Sequence, residues 1–474
     1  MFMPRATAPW LALLALAPHA PCFADQAPFV VARTGVTAPG SGGYTILAIN
    51  DPMINGIDQV GFTGLLNVPG SNSIGFVWFN GTIVWKNTDA LPISLEGAEG
   101  TMGVGDAGEW VYSPLQGFGG DAIWKNGVKV IRTNDPAPGL PGMFATFSSR
   151  PQMNNDGTAT WISGFTSTPG GLTEGRVFYI ASTPTLKTGD VVGGYALDTL
   201  GVGFPYDVCG SGAHWIVRGR GASASESAVP ILVRDGAVVA VAGQVPGGAV
   251  GAYQSFEECA INNHGDWVAS GDTDENASND GFIVFNGALV AQEGQTIAPG
   301  KVLSGNPRAV SVDDHGRVGA IWATTVGGEL LLLFVPPQLG VAAWDSVILL
   351  ATGDFVDTDG DGVPESAVTD FNATTTVGPG LRLPNRCFAY VSVDVEDGLQ
   401  PDFAAIVAVM LPEVGDPADI DGDGDVDGTD LGLMLNGWGQ PGLGDLNCDG
   451  VTDEQDLGLL EASWGPGPDP GGGN

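Results

Sequence analysis

Two stretches near the C-terminus are spaced to chelate a hard cation. Residues 419 to 430 read Asp-Ile-Asp-Gly-Asp-Gly-Asp-Val-Asp-Gly-Thr-Asp. With Asp419 at position 1, side-chain oxygens also stand at Asp421, Asp423, Asp427 and Asp430, which are positions 3, 5, 9 and 12. Asp425 offers its backbone carbonyl from position 7, and Gly424 supplies the sharp turn at position 6. Calcium takes about six to eight oxygens at about 2.3–2.6 Å, and this alternation sends every second side chain inward. Twenty-six residues later the pattern returns as Asp445, Asn447, Asp449, Val451 (through its carbonyl), Asp453 and Asp456. A merely acidic, solvated tail has no reason to repeat that spacing twice.

The elements that position these ligands follow each loop. Leu431, Met434, Leu435 and Trp438 recur at helical spacing after the first, and Leu457, Leu460 and Trp464 after the second. Gly439 and Gly465 end the two runs. An ordinary EF-hand also carries a helix before its loop, for which Pro412 to Pro417 and Pro441-Gly442 leave no room. The duplicated loop-then-helix unit, with Asp rather than Glu at position 12, resembles a type I dockerin across residues 416 to 465. That resemblance implies a small all-α module that folds on Ca²⁺ and docks a cohesin-type protein, often in assemblies that degrade polysaccharide. The recognition pair at positions 10 and 11 is Gly428-Thr429 in one half and Glu454-Gln455 in the other, neither being the usual Ser-Thr. Asn436 and Ala462 lie where such modules carry a basic pair. An intramolecular or surface-attachment role therefore stands beside cohesin docking.

A third acidic loop, Asp357, Asp359, Asp361, Val363 and Glu365, supplies positions 1, 3, 5, 7 and 9 of the same pattern. Its position 12 is Val368, so Asp370 is the candidate closing ligand of a third calcium site, and a solvated turn is the alternative. Catalytic groups are sparse. His264 and His315 hold the same place in adjacent repeats, which a turn residue explains as well as a metal does. No Gly-x-Ser-x-Gly elbow, zinc-type histidine pair or phosphate-cradling glycine loop is present. Two carboxylates for glycoside hydrolysis can come from any two strands, so spacing along the chain does not find them.

The residues between carry a repeat. A polar turn followed by an apolar strand reads Asn154-Asn155-Asp156-Gly157, Asn262-Asn263-His264-Gly265 and Asp313-Asp314-His315-Gly316, with looser copies at Asn55–Asp58, Gly105–Gly108 and Cys209–Gly212. The last positions, 58, 108, 157, 212, 265 and 316, are 50, 49, 55, 53 and 51 residues apart. Asn and Asp bond to their own backbone two residues on, and glycine accepts positive φ at the fourth position. Hairpin signals recur at Asn80-Gly81, Asn126-Gly127, Asp235-Gly236 and Asn286-Gly287. This period predicts a mainly β fold, a β-propeller of seven blades over residues 25–411, with six blades plus an appendage as the alternative. Residues 347–411 are read as the seventh unit, opening with the strand Val347–Thr352. The strand Phe29–Arg33 has no hairpin partner and Ala404–Val409 no successor, so the two are expected to pair and close the ring. The units resemble bacterial tandem repeats of the pattern Asn-x-x-Gly-x-x-Ala-Phe, a resemblance that implies no defined activity.

Lys+Arg 17 against Asp+Glu 54 gives a net charge of −37, a surface that repels nucleic acid and draws divalent cations. Residues 1–24 read as a signal peptide ending at Cys22-Phe23-Ala24, and no later segment is apolar enough to span a bilayer. Secretion to the extracellular space or cell surface is therefore expected, with residues 412–415 as a linker and residues 466–474 as a disordered Pro/Gly tail. Export permits a disulfide, for which Cys209 with Cys259 is the candidate pair and two buried thiols the alternative. Two functions compete. The first is a non-catalytic, calcium-binding protein whose propeller binds a ligand or surface, a glycan among the candidates, and whose dockerin tethers it. The second is a dockerin-borne glycoside hydrolase or lyase, which requires an acidic pair and an aromatic platform at one mouth of the ring.

Overall fold

Asn-Gly and Asp-Gly pairs make tight hairpins when both residues take positive φ. In this computed structural model Asn80-Gly81 (44° and 85°), Asn126-Gly127 (48° and 75°), Asp235-Gly236 (50° and 80°) and Asn286-Gly287 (49° and 81°) all do so. Ala181-Ser182 makes the same turn at 48° and 67°, without the residues that mark it in a sequence. Gly108, Gly157, Gly212, Gly265 and Gly316, the fourth residues of the polar turns, also have positive φ. The structure describes residues 27–57, 59–70, 73–86, 101–114, 121–200, 206–224, 227–249, 251–337, 343–372, 381–383, 387–396, 402–412, 418–420, 425–439, 444–447 and 451–466. The expected signal peptide, Asp58, Asp421, Asp423, Gly424, Asp449 and most of the Pro/Gly tail lie outside them.

Each hairpin joins the two outer strands of an antiparallel sheet. One blade runs Phe144–Met153, Ala159–Thr166, Gly175–Ile180, Thr183–Lys187 from the inside outward. Seven such sheets follow one another, at residues 45–86, 101–132, 144–187, 191–241, 259–292, 309–351 and 355–410, and the fold is a seven-bladed β-propeller. Phe29–Arg33 pairs antiparallel with Phe403–Met410, in the register Phe29 to Ala408 and Arg33 to Ala405, and so closes the ring. The strand at Asp345–Ala351 does not open the seventh blade. It pairs with Glu329–Val335 as the outer strand of the sixth, because its Val347 and Ile348 lie opposite Leu333 and Leu332. The seventh blade begins at Phe355 instead.

A blade cannot bury both faces alone, and the core is accordingly divided among the seven interfaces between blades. Val111, Ile123 and Ile131 of the second blade pack on Trp161, Val177 and Tyr179 of the third. Phe62 and Phe76 of the first meet Ile406 of the last. A six-residue core of Ala418, Ile420, Val426, Met434, Leu446 and Leu460 lies apart from these, in the C-terminal segment. Among the described residues no helix is long and apolar enough to cross a membrane.

The polar turns do more than reverse the chain: they bond each blade to the next. Asn55 Nδ2 donates to the Gly105 carbonyl at 3.0 Å, and Asn262 Nδ2 to the Asp313 carbonyl at 2.9 Å. The second residue continues the relay, with Gly56 N on Asp106 Oδ1 at 2.8 Å, Asn155 N on the Gly210 carbonyl at 2.7 Å and Asn263 N on Asp314 Oδ1 at 2.8 Å. The first side chain also accepts within its own turn, as Asn262 Oδ1 does from His264 N (3.1 Å) and Asp266 N (2.8 Å). In the sixth blade Asp313 accepts from Arg317 Nε at 2.5 Å, both side chains being almost fully buried. Asp313→Ala removes the carboxylate that the buried guanidinium needs, so it is expected to destabilise the propeller by about 3–5 kcal/mol in denaturant unfolding.

Candidate functional site

The inner strands set the geometry of the channel. Met53–Ile54, Thr101–Val104, Phe144–Met153, Tyr206–Val208, Cys259–Ile261, Ala309–Val312 and Leu381–Arg382 form the innermost layer, one from each blade. At the polar-turn end they surround about 810 Å³ of empty space, part of it open to solvent. An inner strand presents unpaired backbone groups to the axis, and in three blades the side chain two residues before the turn bonds one on the next inner strand. Gln152 donates to the Tyr206 carbonyl at 2.9 Å, Asp207 Oδ2 accepts from Ile261 N at 3.0 Å, and Ser311 Oγ accepts from Leu383 N at 3.2 Å.

Charges gather in this channel that no motif announced. Arg382 of the seventh blade approaches Asp207 of the fourth, Nη1 to Oδ1 at 3.7 Å, and donates from Nη2 to the Met53 sulfur. Burial pushes the Asp207 carboxyl up, an effect that Arg382 only partly offsets. Burial likewise pushes Glu258 up to about 7 against the pull of Arg150 and Arg218. The signal that locates them is their distance from the turn: Asp207 stands two residues before its turn, Arg150 and Glu258 four. A carboxyl held above its ordinary value of 4.5 contributes stability that is full below that value and lost as pH rises through about 7. Glu258→Gln is therefore expected to be more stable than wild type at pH 8, by about 3 kcal/mol at most. The difference should vanish near pH 4.5 when both are unfolded in denaturant.

Cys209 and Cys259 are buried free thiols, not a disulfide. The two are not in equivalent places. Cys209 is the first residue of its turn, where its Sγ accepts from His214 N at 3.2 Å as an Asn oxygen would, whereas Cys259 lies three residues ahead of the next turn. Burial, with Glu258 and Asp207 nearby, holds the Cys259 thiol well above its ordinary value and so protonated.

The two C-terminal loops share one construction. Helices α1 (Gly428–Asn436) and α2 (Glu454–Ala462) each begin at a capping box, Asp427 with Asp430 and Asp453 with Asp456. The position-12 carboxylates are fully buried. Asp430 accepts from Ile420 N at 2.6 Å and Asp427 N at 2.7 Å, and Asp456 from Leu446 N at 2.8 Å and Asp453 N at 2.7 Å. Each thus ties the first turn of its helix to the start of its loop. Asp445 is buried, Asp419, Asn447 and Asp453 half-buried, and Asp425, Asp427 and Val451 exposed. Asp425–Val426 pairs with Gly465–Pro466, clasping the two ends of the segment together. The apolar stripes are only partly buried: Met434 and Leu460 enter the core, while Leu435, Trp438 and Trp464 are 52%, 43% and 50% exposed. Nine-residue helices around so small a core have one inward face, and the C-terminal ends of the stripes run past it. At position 8 the first loop has Val426 and the second Thr452, whose buried hydroxyl meets no partner among the described residues. Thr452→Val is expected to raise the module's unfolding free energy by about 1 kcal/mol, read by thermal melting.

In the third loop Asp357, Asp359 and Asp361 converge, one carboxylate oxygen of each lying within 4.8 Å of the others. Val363 is exposed, and Glu365 accepts from Thr358 N at 2.9 Å. Asp370 does not close this loop; it stands 3.7 Å from Arg308, which grips Glu329 at 2.7 Å. His214 bonds Asp235 at 2.7 Å, and among the described residues no cluster of three or more metal-ligating side chains includes a histidine. Trp110, Trp124, Trp161, Trp215, Trp267 and Trp322 are buried in the blades, and Trp78 stacks on Phe62 at 4.7 Å. None of them lines the channel mouth.

Residues 24–265 match the model of a family of unknown function, DUF7453, and the chain belongs to that family. No curated protein matches it. Among solved structures it is similar to the extracellular domains 1–2 of Drosophila semaphorin 1a, with 6% identity and a TM-score of 0.39, covering 81% of this chain and 89% of that one. A puromycin-hydrolysing peptidase of Mycobacterium tuberculosis gives 11% identity and a TM-score of 0.36, covering 76% of this chain and 53% of that one. The chain thus spans about half the length of the peptidase. The subtype N11 neuraminidase-like protein of the H18N11 isolate A/flat-faced bat/Peru gives 11% and 0.33, covering 82% and 96%.

Proposed function

We propose that the chain is an exported, non-catalytic calcium-binding protein in which the propeller is a binding body and a dockerin-like C-terminal module attaches it to a cohesin-type partner. The observation that carries this reading is the identical use of Asp430 and Asp456, each buried and fastened to the backbone of its own loop. In a calcium loop the position-12 carboxylate completes the ligand set of positions 1, 3, 5, 7 and 9, so two loops that hold it alike support two like sites. Calcium would supply the charge that lets those carboxylates crowd together, with Asp419, Asp421, Asp423, Asp425, Asp427 and Asp430 holding one ion. Asp445, Asn447, Asp449, Val451, Asp453 and Asp456 would hold the other. The Asp357, Asp359 and Asp361 cluster is the place for a third, weaker ion, since Asp370 is engaged by Arg308. The exposed Leu435, Trp438, Leu459 and Trp464 give the module an apolar surface that a protein partner can cover. Burial of the tryptophans within the blades favours this reading over a sugar-processing enzyme.

Calorimetric titration of the chelator-treated full-length protein should give two strong calcium sites. At about a hundred times Kd the ligand should stabilise the module by about 2.7 kcal/mol for each site, about 5 kcal/mol for the two together. Asp430→Ala with Asp456→Ala should abolish both sites and leave propeller unfolding unchanged. Absence of calcium heat, with identical melting in calcium and in chelator, would remove the proposal.

A further inference from the structure

The chain leaves the last blade under restraint. Leu411 donates its N–H to the Cys387 carbonyl at 2.8 Å, and the Pro412 carbonyl accepts from Arg317 Nη1 at 3.0 Å. A further contact crosses to the C-terminal module: Cys387 Sγ lies 3.9 Å from the carbonyl oxygen of Asp445, position 1 of the second loop. Cys387 is 3% exposed, and it is disulfide-bonded. Its partner is neither Cys209 nor Cys259, which are free thiols, so only Cys22 and Cys448 remain among the five cysteines of the chain. Cys22 falls within the expected signal peptide. Cys448 stands three residues after Asp445, whose carbonyl the Cys387 sulfur touches.

We infer that Cys387 is bonded to Cys448, and that this bond staples the second acidic loop to the blade that closes the propeller. Cys448 itself is outside the described residues. It is position 4 of the loop, between the ligand positions 3 and 5, so its sulfur is not asked to serve as a calcium ligand. Formation of the bond takes two protons and two electrons from the two thiols. The acceptor is a disulfide carrier of the oxidising compartment outside the cytoplasm, which is reduced to its dithiol. The stapled blade strand, Phe388–Glu396, pairs with Phe403–Met410, and that strand in turn holds Phe29–Arg33. The module is therefore a fixed part of the closing blade rather than a head swinging on its linker, and reduction releases it. This conclusion does not depend on whether the loops bind calcium.

The full-length protein, exported to an oxidising compartment, alkylated in denaturant without reductant, digested and mass-mapped, tests the inference. One peptide pair joined through Cys387 and Cys448 should appear and be lost on reduction, while Cys209 and Cys259 are each recovered alkylated. Recovery of Cys387 alkylated, or joined to any other cysteine, overturns it. In a Cys448→Ser variant Cys387 should become alkylatable; a Cys387 still protected there also overturns it.

Discussion

The ring depends on one antiparallel pairing, between Phe29–Arg33 and Phe403–Met410. Six blades complete themselves from consecutive chain, whereas the seventh borrows its outer strand from the opposite end of the sequence. Without that strand the edge at Phe403–Met410 would be an unpaired template for aggregation, and the first and last blades would lose their shared core around Phe62, Phe76 and Ile406. The third acidic loop sits on this seam. Asp357 donates its N–H to the Pro28 carbonyl and accepts from Val30 N, at 2.8 and 2.9 Å, so the loop's first ligand residue is part of the closure itself.

Closure by strands at the rim is matched by closure by hydrogen bonds at the axis. The turns pass donors and acceptors around the mouth, and further bonds reinforce the relay. Lys125 Nζ reaches the Gly157 carbonyl at 2.6 Å and Arg234 Nη1 the Gly265 carbonyl at 2.8 Å, each from one blade to the next. Several glycines there are fixed by neighbours as well as by φ: at Gly212, whose φ is 71°, a Cβ would lie 2.1 Å from the Asn154 amide nitrogen. The polar repeat is thus a structural device. Its cost is a channel lined by buried charge, in which Glu258 and Asp207 are held above their ordinary titration range.

What the sequence disclosed follows from how local each feature is. Asn-Gly hairpins, the turn glycines and the unpaired terminal strands are legible because two to four residues decide them, and ring closure then follows by counting. The assignment of Val347–Thr352 to the seventh blade failed because an outer strand and an opening strand have the same apolar pattern and differ only in partner. Between a Cys209–Cys259 disulfide and two buried thiols the sequence left the choice open for want of register, since one is a turn residue and the other is not. The channel charges, Arg150, Arg218 and Arg382 with Asp207 and Glu258, were invisible because the blades that bring them together are up to 232 residues apart in the chain, from Arg150 to Arg382. In the C-terminal segment the spacing of the loops was clear, but it did not reveal that Leu435, Trp438 and Trp464 stay in solvent.

The central claim is that calcium orders a module whose two halves are built around Asp430 and Asp456. Hydrogen–deuterium exchange, resolved by peptide and run in calcium and in chelator, tests it most directly. The account predicts that calcium slows exchange across residues 419–436 and 445–462 and leaves the inner blade strands unchanged. Equal exchange of those two segments in both conditions would contradict it.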